Sequence, residues 1–174
     1  MFEYCIVEKD EDYKLLEENI YYSFVERQSG KWFEENYQIT GNKRMKPFFD
    51  YKDLLCFLMK EEGKIISGTV FYIGSGLTQI EKIGFVIPDW LRELKFCEGL
   101  LLFQLESKYN PGYTMDLFSG FYIEELKKRN FEAVICTCYD FMYKIYTKFA
   151  GFEVVDKEFD SEIKQQEYFL YKKL

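Results

Sequence analysis

The spacing of apolar residues predicts a strand and then a helix at the N-terminal end of the chain. The stretch "FEYCIVEK" places apolar residues among charged ones, a pattern typical of a strand. Apolar residues then recur at helical spacing, and these are Leu15, Leu16, Ile20 and Phe24. Asp10 or Asp12 is expected to cap this helix, which should end near Gly30.

The next segment has no clear period, but it is rich in aromatic residues. They are Trp32, Phe33, Tyr37, Phe48, Phe49 and Tyr51. Polar linkers do not have this composition. We therefore expect residues 21–53 to form an aromatic-rich, partly helical segment that folds over the domain and covers a ligand cleft.

The middle of the chain predicts a hairpin and a further strand. The run "LLCFLMKEEGKIISGTVFYIG" has two apolar stretches around a turn at Gly63. The stretch "TQIEKIGFVI" predicts a strand that stops at Pro88. The pattern from residue 90 to residue 110 has two interpretations, either one helix with Gly99 inside it or two short helices.

The C-terminal part predicts helices and strands in alternation. "TMDLFSGFYIEELKKRN" indicates a helix, "FEAVICTCY" a buried strand, and "DFMYKIYTKFAG" a helix capped by Asp140. "FEVVDKEF" and "EYFLYKKL" predict two closing strands. The whole order, β-α-(α)-β-β-β-α-α-β-α-β-β, indicates an α/β or α+β fold. Its mixed sheet is expected to be parallel in part and antiparallel at the ends.

Composition narrows the class of protein. A chain of 174 residues with 48% hydrophobic residues is long enough for one domain with a substantial core, and we expect a single domain over residues 1–174. The net charge of −7 argues against nucleic-acid binding, which needs a basic face. No segment has the ~20 apolar residues of a membrane span, and the N-terminus lacks a signal-peptide pattern. A cytoplasmic protein is therefore expected.

Two residue types exclude some chemistry. The chain has five cysteines and no histidine, so neither a zinc site nor a Cys-His nucleophile pair is expected, and the prediction for metal is none. Reduced, buried cysteines are the expected state.

The order of elements, together with "YTKFAGFEVV" and "EYFLYKKL", resembles the GNAT superfamily of N-acyltransferases. In that fold a hairpin leads to a central strand and a helix that meets the donor's pyrophosphate. A strand, a helix with a tyrosine, and a closing two-strand unit opened by Gly-Phe then follow. The likeness covers nearly the whole chain and rests on layout more than on fixed motifs.

Within that superfamily the layout looks most like the acyl-homoserine-lactone and N-acyl amino acid synthases. Their pattern of Phe, Gly-Trp and Phe-Asp before the hairpin is matched by Phe24, by "GKW" and by "FFD". Their central Glu-x-Ser-Arg-Phe is similar to "EKIGF", where Ile83 and Gly84 replace Ser-Arg. Their other expected arginines and the ordinary GNAT phosphate loop are absent from this sequence.

The resemblance implies a donor slot where two parallel strands separate. Phe85, Val86 and Ile87, at the end of the expected central strand, would supply one wall and "FEAVICTCY" the other. Arg92 and Lys95, expected to follow that strand, are candidates for the donor phosphates. Surface basic residues on a helix are the competing interpretation.

The reaction also needs a base and an acid. Glu81 is the candidate base, because burial beside an apolar strand would raise its pKa toward neutrality; an exposed strand start is the alternative. Tyr146 is the candidate acid for the leaving thiolate. It lies five residues before Gly151, where the family's tyrosine lies four before, and a helix bulge would restore the register. Packing is the alternative role.

Trp32 and Asp50 are the candidates for acceptor binding implied by the resemblance, although a plain turn aspartate is equally compatible at position 50. The expected activity moves an acyl group from acyl-CoA, acetyl-CoA or the acyl-phosphopantetheine of an acyl carrier protein to the amine of a small molecule or amino acid. The alternatives are an ordinary acetyl-CoA-dependent N-acetyltransferase and an inactive GNAT-derived binding or scaffold domain. "DFMYKIYTKF" is a candidate homodimer face.

Overall fold

A computed structural model of the chain describes residues 1–26, 37–105, 108–161 and 164–174. The strands are β1 Phe2–Ile6, β2 Tyr37–Gly41, β3 Arg44–Pro47, β4 Leu54–Glu61, β5 Lys64–Tyr72, β6 Phe96–Gln104, β7 Ala133–Tyr139, β8 Glu153–Asp160 and β9 Gln165–Lys173. The α-helices are α1 Asp10–Tyr21, α2 Gln79–Lys82, α3 Asp89–Arg92, α4 Pro111–Lys128 and α5 Asp140–Lys144. Two π-helical turns, Tyr22–Glu26 and Ile145–Phe149, extend α1 and α5.

Seven strands form one mixed sheet in the order β1-β4-β5-β6-β7-β9-β8, and β2 with β3 forms a separate hairpin. The predicted mixed, partly parallel α/β sheet is therefore confirmed. The described chain divides into two compact units. The first contains Met1–Phe71 and Leu101–Tyr122, and the second contains Tyr72–Leu100 and Ile123–Leu174.

The first unit contains the predicted N-terminal strand, helix and hairpin. β1 pairs antiparallel with β4, and the turn between β4 and β5 has Gly63 at φ +76°, in the left-handed region where glycine is favoured. The side chain of Phe57 is fully buried and packs edge-on against the rings of Phe71 and Phe121. The first residue of α1 is Asp10, and neither Asp10 nor Asp12 caps it, because Lys9 holds the cap position.

The predicted segment 21–53 is partly helical, as expected, but it also contains a hairpin that the sequence did not indicate. Its described part begins with the π-helical turn Tyr22–Glu26, continues with the β2–β3 hairpin and ends with a short 3-10 turn, Tyr51–Asp53. Buried Glu17 of α1 accepts hydrogen bonds from Thr40 Oγ1, at 2.7 Å, and from the Tyr51 hydroxyl. Arg44 Nε lies 3.6 Å from the same carboxylate. These polar contacts hold the hairpin on the helix. The predicted helix end near Gly30 lies outside the described residues.

The second unit contains the parallel part of the sheet. β6 and β7 pair in parallel at four residue pairs, from Phe96–Ala133 to Gly99–Cys136. β9 pairs antiparallel with both β7 and β8. On one face of these strands, Phe169 and Ile135 pack with the buried residues Ile80, Phe85, Ile87 and Leu91. The predicted strands at residues 131–139, 152–159 and 167–174 are confirmed.

The predicted strand "TQIEKIGFVI" is wrong, because its first half is the short helix α2. Thr78 Oγ1 accepts a hydrogen bond from Glu81 N at 3.1 Å, and Glu81 Oε2 accepts one from Thr78 N at 3.0 Å. This reciprocal pair is a capping box, whose Thr-x-x-Glu spacing is a helix-start signal. The central strand is instead β6, in the region where only helices were expected. Its unbroken apolar run does not distinguish a buried strand from a buried helix.

Gly84 ends this helical turn in a conformation that requires glycine. Its φ is +108°, and a Cβ added there would meet no atom within 4 Å. Gly84→Ala should therefore lower the free energy of unfolding by about 1–3 kcal/mol through backbone strain alone. Urea unfolding measures the change. Gly120→Ala in α4, where the added Cβ also meets open space, is the control and should leave stability unchanged or slightly raised. Equal losses in the two variants would contradict this explanation.

Candidate active site

Glu98 of β6 is a buried carboxylate held at the start of a helix. Its residue is 2% exposed. Oε2 accepts a hydrogen bond from Gln79 N at 2.8 Å and Oε1 accepts one from Ile80 N at 2.7 Å, so the carboxylate binds the first turn of α2. Glu98 lies opposite Ile135 of β7, one pair before the last pair of the parallel ladder. The carboxylate is therefore fixed within the second unit, close to the end of that ladder.

The environment of Glu98 raises its pKa to about 7. Desolvation by burial is the main cause, and it outweighs the two backbone hydrogen bonds and the charge of Lys82, which act in the opposite direction. The charge of Glu81 adds to the rise. A carboxylate with this pKa exchanges a proton near neutral pH, which is the property that a general base needs.

Glu81, the base candidate from the sequence, has the opposite behaviour. Burial raises its pKa, but hydrogen bonds from Arg92 and Thr78 outweigh burial, so the net pKa is lowered. Arg92 Nη2 lies 2.6 Å from Glu81 Oε1. The expected position on a strand and the expected raised pKa are therefore both wrong for Glu81. The structure uses this carboxylate to cap α2 and to pair with Arg92.

Arg92 and Lys95 precede the central strand, whereas the sequence placed them after it. Because β6 begins at Phe96, both lie before the amino end of that strand, and ligands of parallel sheets bind at the carboxyl ends. Lys95 Nζ donates to Arg129 O at 2.6 Å, and Arg92 pairs with Glu81. The predicted place of these two residues relative to the central strand is wrong.

The Arg92–Glu81 ion pair has a testable effect on stability. Arg92→Gln should cost at most about 1 kcal/mol at pH 7, because the Arg92 side chain is 48% exposed and the pair is screened by water. The pKa of Glu81 is lowered in the folded state, so the loss should shrink as the pH falls below about 4.5, where the unfolded carboxyl is protonated. Urea unfolding at several pH values measures this. A loss that grew toward acid pH would contradict it.

Phe85, Val86 and Ile87 follow α2 in an irregular segment and do not form a strand wall, so that placement is also corrected. The side chains of Phe85 and Ile87 are buried in the core, and Phe85 lies 5.9 Å from the ring of Phe169. The side chain of Val86 is exposed.

Tyr146, the candidate acid, lies in the π-helical turn Ile145–Phe149. The spacing between Tyr146 and Gly151 predicted a helix bulge, and this π-turn is such a bulge. Single π-turns of this kind are frequent at functional sites. Tyr146 packs edge-on against Phe152, at 5.3 Å, in a cluster with Cys136, Cys138 and Leu170. Asp140 opens α5 but does not cap it; its oxygens accept hydrogen bonds from β9.

Glu98 and Tyr146 belong to opposite faces of the same strands. Glu98 lies opposite Ile135, whose side chain is in the core on the α2 face. Tyr146 packs with Cys136, the next residue along β7, and successive residues of a strand point to opposite faces. The carboxylate and the phenol therefore lie on opposite faces of the sheet, near the end of the parallel ladder.

Of the two residues predicted to bind the acceptor, the structure describes only Asp50. Trp32 lies outside the described residues. Asp50 is exposed and lies 3.8 Å from Lys52 Nζ, so its role stays a prediction. A cleft of about 320 Å³ lies between the end of α1 and the predicted acceptor-side segment, in the first unit. Its lining residues are Glu18, Tyr21, Tyr22, Glu26, Asn42 and Lys43.

The structure makes the cysteines poor nucleophiles. All five are free thiols, and burial raises the pKa values of Cys56 and Cys138 to about 12. A thiol with such a pKa is almost entirely protonated at neutral pH. The raised pKa values therefore argue against a nucleophilic role for these thiols.

Comparison with known proteins identifies the fold. No protein-family model and no curated protein sequence matches the chain. Solved structures do match. The AHL synthase LasI is 10% identical, with a TM-score of 0.77 over 99% of this chain and 90% of that one. The chain has a GNAT-like fold. FeeM, an N-acyl amino acid synthase from uncultured soil microbes, is 12% identical, with a TM-score of 0.67 over 99% and 90% of the two chains.

The GNAT-like fold extends to acetyltransferases as well. A probable acetyltransferase from Staphylococcus epidermidis is 13% identical, with a TM-score of 0.63 over 99% of both chains. The structural neighbours of the chain are thus enzymes that transfer acyl groups. In the part of the chain that the structure describes, no helix is long and apolar enough to cross a membrane.

Proposed function

We propose that the chain is an N-acyltransferase that moves an acyl group from a thioester to the amine of a small molecule or amino acid. The GNAT-like fold and the acyl-transferring neighbours support the reaction class. The observation that carries the proposal for this chain is buried Glu98, with a pKa near 7, next to the end of the parallel ladder.

The donor is acyl-CoA, acetyl-CoA or the acyl-phosphopantetheine of a carrier protein. Its thioester is proposed to lie beside Gly99 and Cys136, the last pair of the parallel ladder, where backbone groups of the strands bind the pantetheine amides. The thioester carbonyl then faces the Glu98 side of the strands and the sulfur faces the Tyr146 side.

The bonds change in the following order. Glu98, acting through one water molecule because it is buried, removes a proton from the acceptor ammonium. The amine nitrogen forms a bond to the thioester carbonyl carbon, whose carbonyl electrons move onto oxygen. When the carbonyl re-forms, the carbon–sulfur bond breaks, and the thiolate takes a proton from the Tyr146 hydroxyl. The nitrogen, which still carries one excess proton, gives it through water to the Tyr146 phenolate, and Glu98 releases its own proton to solvent. The products are an amide and a free thiol.

Donor binding is the first test. Thermal unfolding is measured with CoA, acetyl-CoA, a long-chain acyl-CoA and acyl carrier protein. A ligand of the folded state at a hundred times its dissociation constant adds about 2.7 kcal/mol to stability. Stabilisation by acetyl-CoA selects ordinary acetyl transfer, and stabilisation only by long chains selects a long-chain donor. The absence of any shift in all four mixtures would overturn the proposal.

A second candidate is a GNAT-derived binding domain without turnover. It is favoured by the pairing of Arg92 with Glu81 and of Lys95 with Arg129 O, which occupies both predicted phosphate ligands within the protein. A stabilising donor that releases no thiol in the presence of amines would select this candidate.

A further inference from the structure

The helix α5 and the π-turn after it expose a row of large apolar side chains. Phe141, Ile145 and Phe149 recur every four residues, which places them on one side of the helix. Phe149 is 83% exposed and Phe141 is 70% exposed. Lys144 and Lys148 precede two of these residues and run beside the apolar row, also exposed.

β8 carries its lysine and its acidic residues on opposite faces of the sheet. Lys157 lies opposite Tyr168, which packs against Tyr143 of α5, so Lys157 is on the α5 side of the strand. By the same register Val154 and Phe159 lie on that side. The acidic residues of β8 lie on the other side, and these are Glu153, Asp156, Glu158 and Asp160.

The α5 face is defined here as Phe141, Lys144, Ile145, Lys148, Phe149, Val154, Lys157 and Phe159. It combines five exposed apolar side chains with three lysines, in a chain whose net charge is −7. The neighbouring carboxylate of Asp140, outside this face at the start of α5, accepts hydrogen bonds from Gln166 N and the Tyr168 hydroxyl. The face is therefore basic and apolar on an acidic protein.

We propose that the α5 face binds an anionic lipid surface. Negative headgroups complement the three lysines, whose long apolar stems allow the ammonium groups to reach the headgroup level. The exposed phenylalanine rings enter the interface beside them, as the apolar side of an interfacial helix does. The contact lies on the membrane surface and is independent of the proposed acyl transfer.

The geometry favours lipid over a protein partner. The aromatic rings project singly from a helix and a strand, so a rigid partner needs a separate pocket for each ring. A bilayer interface accepts each ring without such pockets. A second copy using the same face is disfavoured, since it brings the lysines of both copies together.

Vesicle sedimentation tests the proposal. The full chain is mixed with vesicles of phosphatidylcholine alone or with about one third phosphatidylglycerol. Binding is expected only to the anionic vesicles and should weaken as salt increases. Phe141→Ser with Phe149→Ser should weaken it by at least about tenfold, as should Lys144→Glu with Lys148→Glu. All four positions are exposed, so the fold should tolerate these changes.

The control removes exposed apolar side chains elsewhere. Leu77→Ser with Ile39→Ser should leave vesicle binding unchanged, because both side chains are exposed outside the α5 face. Failure of the parent chain to bind anionic vesicles would overturn the proposal, as would equal losses in the control and the phenylalanine pair. Two results would assign the face to a protein partner instead. In the first, the Phe141→Ser, Phe149→Ser variant has a different oligomeric state from the parent chain. In the second, the parent chain binds an acidic amphipathic peptide but no vesicles, and the variant loses the binding to the peptide.

Discussion

Glu98→Gln is expected to lower the rate of acyl transfer by about 10² or more, because the variant removes the proposed base. Below pH 7 the parent carboxylate is increasingly protonated, so kcat/KM of the parent enzyme should rise with pH and level off above about 7. The variant should lack that inflection. Thiol release from the donor, followed across pH 5.5–8.5, roughly the range that brackets this pKa, measures both effects.

The same substitution should change how stability depends on pH. The folded pKa of Glu98 is raised from 4.5 to about 7, so folding favours the protonated form. The stabilisation that the protonated Glu98 side chain gives to the folded state is complete below about pH 4.5, and it is lost as the pH rises through 7. The difference in unfolding free energy between parent and variant should therefore change by an amount on the order of 3 kcal/mol over that window. Other carboxylates cancel in this difference.

The control for both measurements is Glu158→Gln, on the exposed edge strand β8. It should keep the inflection near pH 7 and the parent's pH dependence of stability. An inflection that survives in Glu98→Gln would remove Glu98 from the role of base. Loss of the inflection in both variants would point to a shared charge effect instead.

Phe169→Ala is expected to have the largest effect on stability, a loss of about 3–5 kcal/mol. The side chain is 0% exposed and packs among Ile80, Phe85 and Ile135 in the core of the second unit. Removing the ring loses its burial and leaves a cavity, since the neighbouring strands β7 and β8 restrict collapse. The midpoint and slope of urea unfolding measure the change.

Phe159→Ala is the matched control, because the same ring is lost from a position that is 66% exposed. Its cost should stay within about 0.5 kcal/mol. A loss below about 1 kcal/mol for Phe169→Ala would contradict the described packing of this core.

The elements that the sequence predicted well are those with strong local signals. The hairpin around Gly63, the helix α4 and the strands β7, β8 and β9 have clear periods and turn residues, and the structure contains each of them. The central strand β6 was missed because its apolar run "FCEGLLLFQ" has no period of two. A strand buried on both faces lacks that alternation, and Gly99 and Glu98 added an apparent helical surface.

The capping box at Thr78 is visible in the sequence, but the strand interpretation of this stretch did not take it into account. Its Thr-x-x-Glu spacing predicts a helix start, and Ile80 and Ile83, three residues apart, both contact the core as helical spacing requires. Once residues 79–82 are helical, the central strand must lie further along the chain.

The wrong residue was predicted as the base because the central strand was assigned to the wrong part of the chain. The base expected from the sequence is a carboxylate on an apolar strand with a pKa raised by burial, and Glu81 is the candidate for it. Glu98 has these properties, because β6 is the strand and Glu98 is buried on it. The sequence indicated this through one feature, since Glu98 is an acidic residue inside the apolar run "FCEGLLLFQ". The π-turn at Tyr146, by contrast, was anticipated from a one-residue shift in spacing.

Detection of the amide product is the decisive test of acyl transfer by this chain. The chain is incubated with isotopically labelled acetyl or long-chain acyl thioester and a mixture of amino acids and simple amines, and products are read by mass spectrometry. We expect a labelled amide together with an equal amount of free thiol, both strongly reduced in Glu98→Gln. The absence of amide with every donor, from folded protein, would contradict it.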